Sequence, residues 1–216
     1  MGMVDIAFGL AAVLSVLAIV DPPGCLAPYL SLTQGFSDEE KRRVITNSCL
    51  VATATLGVFA LFGQWIFAVF NFTIPAFKIA GGTLLFVTAF QMTQGQRTSR
   101  TRITEKGRDE EVEAVGIVPL GIPLLAGPGA ITTVLIYMSR DTSDPLDKTF
   151  VFLGILVAVL VTFVLLRSAD RIFRRMGRTG TLAFGRIMGL LLAAVGVQFV
   201  IDGIFQVAVD HGLLLP

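Results

Sequence analysis

Long apolar blocks, separated by short polar connections, run along the whole chain. Six of these blocks are free or nearly free of formal charge: residues 6–20, 44–70, 79–96, 114–139, 149–166 and 182–209. A helix of about 20 apolar residues crosses the hydrocarbon core of a bilayer. The pattern therefore predicts an all-α membrane protein with six transmembrane helices.

The composition agrees with this prediction. Of the 216 residues, 54% are hydrophobic and only 15% are charged, whereas soluble domains have about 25% charged residues. The formal net charge is +1, so the chain has no bulk basic field that would attract polyanions. These values exclude a disordered chain, a coiled coil, a nucleic-acid-binding protein and an ordinary soluble enzyme.

Lysine and arginine are concentrated in alternate connections. The first, third and fifth connections hold three, five and five of the 17: Lys41, Arg42, Arg43; Arg97, Arg100, Arg102, Lys106, Arg108; Arg167, Arg171, Arg174, Arg175 and Arg178. The connections on the opposite side hold only Lys78, Arg140 and Lys148. Because positive residues stay on the cytoplasmic side, we expect a multi-pass protein of a bacterial-type inner membrane with both termini outside.

The two halves of the chain share short patterns. A Pro-Gly pair at residues 23–24 returns at 128–129, which is 105 residues later. The pattern Phe-x4-Gly-x-Leu-Leu-x5-Gln at residues 77–91 returns at 184–198, an offset of 107. Because each half has an odd number of spans, the halves insert in opposite directions, as in many secondary transporters. We expect a first three-helix repeat over residues 1–95, a cytoplasmic connecting loop over 96–114 and a second three-helix repeat over 115–216.

Residues that interrupt a helix occur at two of the six blocks. Asp-Pro-Pro-Gly-Cys at residues 21–25 directly follows the first block, and the fourth contains three prolines and three glycines within residues 119–129. Proline has no N–H to donate, and its ring disfavours a regular helix. Irregular backbone occurs at membrane depth only where protein buries it or where it lines a watery cavity. We predict that helices 1 and 4 are each broken into two pieces by these residues.

Such breaks can bind a zwitterion. A half-helix that starts at a break presents unpaired N–H groups and a positive dipole end to a carboxylate, while freed carbonyls or Asp21 can receive an ammonium group. The predicted substrate-binding residues are Asp21, Pro22, Pro23, Gly24, Cys25, Gly127, Pro128, Gly129, Ala130, Thr132 and Thr133. Gln91 and Gln198 either line the cavity or hydrogen-bond across helices. The alternatives are a proline kink that only shapes packing, and an Asp21 that only caps a helix.

The residue types needed for other chemistry are missing. Cys25 and Cys49 form no C-x-x-C pair, the only histidine is His211, and no G-x-x-x-x-G-K-[S/T] motif is present. The sequence therefore predicts no catalytic residues, no metal site, no cofactor and no ATP-driven pump. We expect a protein that is not an enzyme.

The break motifs resemble those of a known family. Asp-Pro-x-Gly at residues 21–24 and Pro-Leu-Gly-Ile-Pro-Leu-Leu-Ala-Gly-Pro-Gly-Ala-Ile-Thr-Thr at residues 119–133 look like the MarC family, and the resemblance covers essentially the whole chain. It implies an inverted three-plus-three fold, similar to that of the LysE-like exporters. It also implies transport of small neutral amino acids such as glycine and alanine.

Together these observations predict a secondary transporter that moves small neutral amino acids by alternating access. A proton or a sodium ion is the candidate coupling ion. The expected partners are the amino acid and the lipid bilayer, without nucleic acid, and a homo-oligomer is left open. The alternatives are an exporter of another metabolite or ion and a membrane assembly factor that transports nothing.

Overall fold

The computed structural model describes residues 6–33, 35–93, 105–139, 145–173 and 177–213. The regular elements in these ranges are all helices, as predicted. They are α1 (Ile6–Val20), α2 (Leu26–Leu32), α3 (Asp38–Phe70), α4 (Ile74–Thr93), α5 (Glu105–Val115), α6 (Pro128–Ser139), α7 (Pro145–Phe173) and α8 (Gly177–Asp210). An irregular helical segment, Gly116–Leu125, joins α5 to α6.

In the described ranges, three helices are long and apolar enough to cross a membrane. These spans are Asp38–Phe70, Lys148–Ala169 and Arg186–Asp210. A fourth is formed by Val112–Leu125 with Pro128–Ser139, if this pair, bent by 54°, counts as one span. The apolar helices Ile6–Val20 and Ile74–Phe90 are shorter. Large apolar side chains such as Trp65 and Leu190, each 67% exposed, cover the outside of the helices, so the chain is an integral membrane protein.

The ends of α3 follow from local sequence. At its start, the Ser37 hydroxyl accepts a hydrogen bond from the Glu40 N–H at 3.2 Å, and the Glu40 carboxylate accepts one from the Ser37 N–H. This reciprocal capping satisfies two of the N–H groups that a helix start leaves free. At its end, Asn71 adopts left-handed backbone with φ of 49°. The 33 residues between them extend about 50 Å.

The first break lies between α1 and α2. Asp21, directly after α1, adopts left-handed backbone with φ of 48°, a conformation that Asp and Asn tolerate better than most residues. Pro22 and Pro23 follow and cannot extend the hydrogen-bond ladder of α1. The chain resumes helical structure only at Leu26.

The second break extends through the irregular segment to α6. Val118 has φ and ψ of −131° and 125°, and Ile122 has −133° and 128°. Each precedes a proline, and the residue before a proline is pushed into extended backbone by steric contact with the ring. Helix α6 then starts at Pro128, a favoured residue for a first helical position.

The helices pack into a bundle that brings distant parts of the chain together. Helix α4 lies along α8, and α1 lies along α7. Helix α3 contacts α7, α6 and the irregular segment, while α1 also contacts α6. The largest fully buried side chains include Tyr29, Leu56, Leu120, Ile155 and Leu166. Together with buried residues of α1 and α6 such as Val16 and Val134, they form a packed core among α1, α2, α3, α6, α7 and the irregular segment.

The connection predicted as a loop over residues 96–114 contains a helix. Helix α5 covers Glu105–Val115 and packs against α3. Its Val112 side chain is buried at 3% exposure, and burial of this apolar group stabilises the helix against the bundle. Residues 96–104 of that connection lie outside the described part of the chain.

Candidate functional site

A cavity of about 230 Å³ lies where the two breaks meet. Residues from both breaks line it: Asp21, Gly24 and Cys25 from the first, and Gly127, Gly129 and Ala130 from the second. Pockets for drug-sized ligands measure roughly 300–1,000 Å³, so this cavity suits a smaller solute. Six of the eleven residues predicted at the breaks therefore share one cavity, although more than 100 residues separate the two groups.

The first break satisfies the N–H groups of Gly24, Cys25 and Leu26. The Asp21 carboxylate accepts a hydrogen bond from the Gly24 N–H at 3.2 Å. The Asp21 carbonyl accepts one from the Cys25 N–H at 3.3 Å, and the Pro23 carbonyl accepts one from the Leu26 N–H at 3.2 Å. This side-chain bond closes the turn ahead of α2, whose N-cap residue Cys25 has no side-chain cap, so Asp21 does not cap α2 itself. The bond occupies the Gly24 amide, which the sequence places among the predicted substrate-binding residues.

The second break leaves backbone donors free. Within the described residues, the N–H groups of Gly127, Gly129 and Ala130 have no hydrogen-bond partner. The ladder of α6 begins with the Ile131 N–H, which donates to the Gly127 carbonyl at 3.0 Å. The first N–H groups of a helix have no partner within it, and they carry the positive end of its dipole. The free amides of Gly129 and Ala130 therefore form a donor site at the cavity.

Glycine is required at the second break by close packing. A Cβ atom at Gly129 would lie 2.6 Å from Cζ of Phe199 and 3.0 Å from Cγ1 of Ile19. A Cβ atom at Gly127 would lie 2.5 Å from the carbonyl oxygen of Pro123. All three distances are below ordinary van der Waals contact, so any side chain at Gly127 or Gly129 would displace its neighbours.

The cavity wall opposite the breaks is apolar. It consists of Leu85 from α4 and Leu192, Val195 and Phe199 from α8. The sequence analysis did not propose these residues as site residues. For two of them a signal existed, because Leu85 and Leu192 occupy equivalent positions in the repeated Gly-x-Leu-Leu pattern. No local signal marked Phe199, whose position depends on how α8 packs.

The cavity therefore has two poles and an apolar wall. The exposed Asp21 carboxylate provides negative charge, and one of its oxygens already receives the Gly24 N–H. The free amides at the start of α6 provide the positive pole. Such an arrangement can orient a small molecule that carries an ammonium group, an anionic group and a short apolar substituent.

The remaining predicted residues at the breaks lie outside the cavity lining. Pro22 is buried and Pro23 is exposed. Pro128 packs against Gly81 of α4, where a Cβ atom would overlap its ring. Thr132 is buried at 3% exposure, and its hydroxyl is a buried side-chain atom without a hydrogen-bond partner among the described residues. Thr133 is half-buried.

Of the two glutamines predicted near the cavity, the structure describes the side chain of Gln198 only. Gln198 is exposed, and its side-chain amide donates to the Asp202 carboxylate at 2.6 Å, one turn along α8. It does not line the cavity between the breaks. The side chain of Gln91 lies outside the described residues.

Metal-ligating side chains do not cluster in the described part of the chain. No group of three or more His, Cys, Asp or Glu residues in these ranges could hold a metal ion. Cys25 and Cys49 are both buried free thiols. The Cys25 thiol donates to the Val20 carbonyl with a 3.7 Å separation, which ties the first break to the end of α1.

Sequence comparisons identify relatives over nearly the whole chain. The family model described as MarC family integral membrane protein matches residues 6–208. A UPF0056 membrane protein of Methanocaldococcus jannaschii is 36% identical over 200 residues, 93% of this chain and 97% of the relative.

Two bacterial relatives match to a similar extent. A UPF0056 membrane protein of Aquifex aeolicus is 38% identical over 200 residues, 89% of this chain and 90% of the relative. The UPF0056 membrane protein YhcE of Escherichia coli is 31% identical over 192 residues, 88% of this chain and 89% of the relative. No solved structure matches the chain significantly. With a family match from the first helix to the last, the chain belongs to the MarC family of integral membrane proteins.

Proposed function

We propose that this protein is a secondary transporter that carries small neutral amino acids, of the glycine and alanine type, across the inner membrane by alternating access. The observation that carries the proposal is the cavity at which both breaks meet, with the Asp21 carboxylate on one side and the free amides of Gly129 and Ala130 on the other. The protein is not an enzyme in this proposal, and it needs no cofactor. A proton or sodium gradient drives the transport.

The substrate class follows from the two poles of the cavity. The carboxylate of an amino acid accepts hydrogen bonds from the α6 amides, and its ammonium group pairs with Asp21. Leu192, Val195 and the other apolar wall residues face a short aliphatic substituent. A volume of about 230 Å³ favours glycine and alanine over amino acids with large aromatic side chains.

Helix packing supports an architecture of six spans in two inverted repeats. The offset between the Pro-Gly pairs matches α1 with the irregular segment, α2 with α6, α3 with α7 and α4 with α8. Under this exchange the α1–α7 contact becomes irregular segment–α3, α2–α8 becomes α6–α4, and α2–α7 becomes α6–α3. All six of these contacts exist, and α4–α8 and α3–α7 map onto themselves. Such a pseudo-symmetric pair of halves provides two related conformations for alternating access.

The orientation of the protein in the inner membrane is part of the proposal. Basic residues from the first and fifth connections, Lys41 to Arg43 and Arg167 with Arg171, line one common cavity. This shared location is what the positive-inside rule requires of two cytoplasmic connections. We place this end in the cytoplasm and both termini outside.

A transport assay tests the proposal. Purified protein in liposomes takes up labelled glycine and alanine under an imposed proton or sodium gradient, whereas empty liposomes do not. Labelled phenylalanine, tested in parallel, is excluded by the size of the cavity. Absence of both uptake and binding of glycine and alanine would refute the amino-acid proposal. Uptake of an unrelated metabolite or ion under the same conditions would favour the alternative exporter.

A further inference from the structure

A second and larger cavity lies at the end of the molecule where α3 begins and α7 ends. Its volume is about 850 Å³. Five cationic side chains line it: Lys41, Arg42 and Arg43 from the first turns of α3, and Arg167 and Arg171 from the end of α7. The acidic residues in its lining are Asp38 and Glu39. The proposed transport site does not use this cavity.

Acidic side chains compensate only part of this positive charge. Both ends of the Arg43 guanidinium are engaged, one with Glu39 and one with Asp109, each at 3.1 Å. Within the described residues, Arg42, Arg167 and Arg171 form no ion pair. Asp38 is then the one acid in the lining that remains available to them. Like charges held together repel, so a bound anion would stabilise this arrangement.

The basic cavity lies at the level of lipid headgroups. Arg167 falls in the last turn of the apolar span Lys148–Ala169, and Arg171 follows one turn later. Lys41 to Arg43 directly precede Val44, with which the uncharged part of α3 begins. Cationic side chains at the ends of membrane helices reach the lipid phosphates, and basic pockets between helices bind anionic headgroups.

The face of α7 that carries the two arginines also presents an apolar surface on which acyl chains can pack. Leu160 and Val164 are 63% and 56% exposed, and they precede Arg167 and Arg171 at spacings of four, three and four residues. Residues at this spacing share one face of a helix. A lipid whose phosphate contacts Arg167 and Arg171 therefore has an apolar track for its chain along the same face, which a free anion would not need.

We propose that this basic cavity is a binding site for the phosphate group of an anionic phospholipid. The guanidinium groups of Arg167 and Arg171 donate paired hydrogen bonds to phosphate oxygens, a geometry that arginine matches well. Arg42 contributes charge from the α3 side. The acyl chains lie against α7 at Val164 and Leu160.

Lipid binding to the full-length protein in detergent tests the proposal. We measure binding of phosphatidylglycerol and of phosphatidylcholine with identical acyl chains by native mass spectrometry, and inorganic phosphate is added as a competitor. The double variant Arg167→Gln/Arg171→Gln binds phosphatidylglycerol about 25-fold more weakly, since each cationic side chain contributes roughly fivefold in affinity. The charge-matched control Lys148→Gln/Arg186→Gln, outside the cavity lining, retains the affinity of the natural chain.

The outcomes separate the sources of the phosphate. Preference for phosphatidylglycerol that declines with salt and is lost in the cavity variant supports the site. Equal affinity for the two lipids, or an equal loss in the control variant, overturns it. Displacement of the lipid by millimolar inorganic phosphate overturns the assignment to a lipid and identifies a soluble anion as the ligand. If the double variant does not fold, the salt dependence and the lipid preference of the natural chain still decide.

Discussion

The two chain breaks meet at one cavity but differ in the hydrogen bonding of their backbone N–H groups. At the first break the Asp21 carboxylate caps the Gly24 amide, and two further carbonyls accept the next N–H groups. At the second break the amides of Gly129 and Ala130 remain free. A Pro-Gly pair occurs in both, so the pair alone does not decide the outcome. An acid precedes the prolines only in the first break, and it explains why the Gly24 N–H is bonded, whereas the Cys25 and Leu26 N–H groups are bonded to carbonyls of the turn.

This difference gives the cavity its polarity. The first break combines a negative side chain with a following helix, α2, of only seven residues. The second combines free donors with a helix of twelve residues, α6, whose dipole adds to them. The two breaks therefore play different parts in the proposed site, one for the ammonium group and one for the carboxylate.

Blocking the second break should have the largest effect. In Gly129→Leu the new side chain overlaps Phe199 and Ile19 and covers the free amides. We expect glycine uptake to fall about 100-fold, because displacing binding groups by about 1 Å can have an effect of this size. Gly57→Leu in α3 is the matched control, because a Cβ atom at Gly57 meets no atom within 4 Å. Uptake at the natural rate by correctly inserted Gly129→Leu would remove the second break from the site.

Removing the charge at the first break should have the next largest effect. Asp21→Asn keeps a side chain that accepts the Gly24 N–H and tolerates left-handed backbone, but it lacks the carboxylate charge. We expect glycine affinity, measured by equilibrium binding, to fall about tenfold, since a hydrogen bond to a charged group contributes roughly 1.5–3 kcal/mol. The melting temperature should stay close to that of the natural chain.

A control for the backbone strain at Asp21 is available elsewhere in the chain. Asn71 has almost the same φ but caps α3 away from the cavity. Asn71→Ala and Asp21→Ala should both destabilise the fold by roughly 1–2 kcal/mol, because alanine is strained in left-handed backbone. Only Asp21→Ala should also reduce glycine binding. If Asp21→Asn binds glycine with unchanged affinity, Asp21 only stabilises the turn ahead of α2.

Replacing one glycine by alanine at each break compares how well the surrounding atoms can accommodate an added methyl group. In Gly127→Ala the Cβ atom lies 2.5 Å from the Pro123 carbonyl oxygen, which is backbone and cannot rotate away. We expect a loss of roughly 1–3 kcal/mol in the free energy of unfolding. In Gly24→Ala the Cβ atom meets the Asp21 carboxylate, a side chain that can rotate, so the loss should be limited to the hydrogen bond between Asp21 and Gly24, about 1 kcal/mol. Thermal unfolding in detergent measures both, and the reverse order would contradict this comparison.

Removing the buried Thr132 hydroxyl should have the smallest effect on glycine transport. It has no hydrogen-bond partner among the described residues and does not line the cavity. Thr132→Val replaces it with a methyl group of similar volume, so stability should increase by about 1 kcal/mol. Glycine affinity should not change. A loss of affinity in a variant of raised stability would instead add this hydroxyl to the donors of the second break.

Much of the second break and little of its surroundings could be read from local sequence. Pro119 and Pro123 predict the extended backbone that Val118 and Ile122 adopt. The start of α6 at Pro128 follows from the same covalent constraints. The sequence does not predict helix α5, because α5 is polar. Its anchors, the burial of Val112 and the ion pair between Asp109 and Arg43, both depend on contact with the bundle.

The sequence by itself determined the class of protein, the places where two helices break and the candidate acid at one of them. These features depend on composition and on neighbouring residues, because the backbone restriction of proline and the charge of aspartate are properties of the residues themselves. Only the tertiary structure decided that the breaks face each other, that Asp21 occupies the Gly24 amide and that Phe199 covers Gly129. Those outcomes depend on packing between helices far apart in the chain. The local sequence of an apolar helix does not specify which other helix of similar composition it contacts.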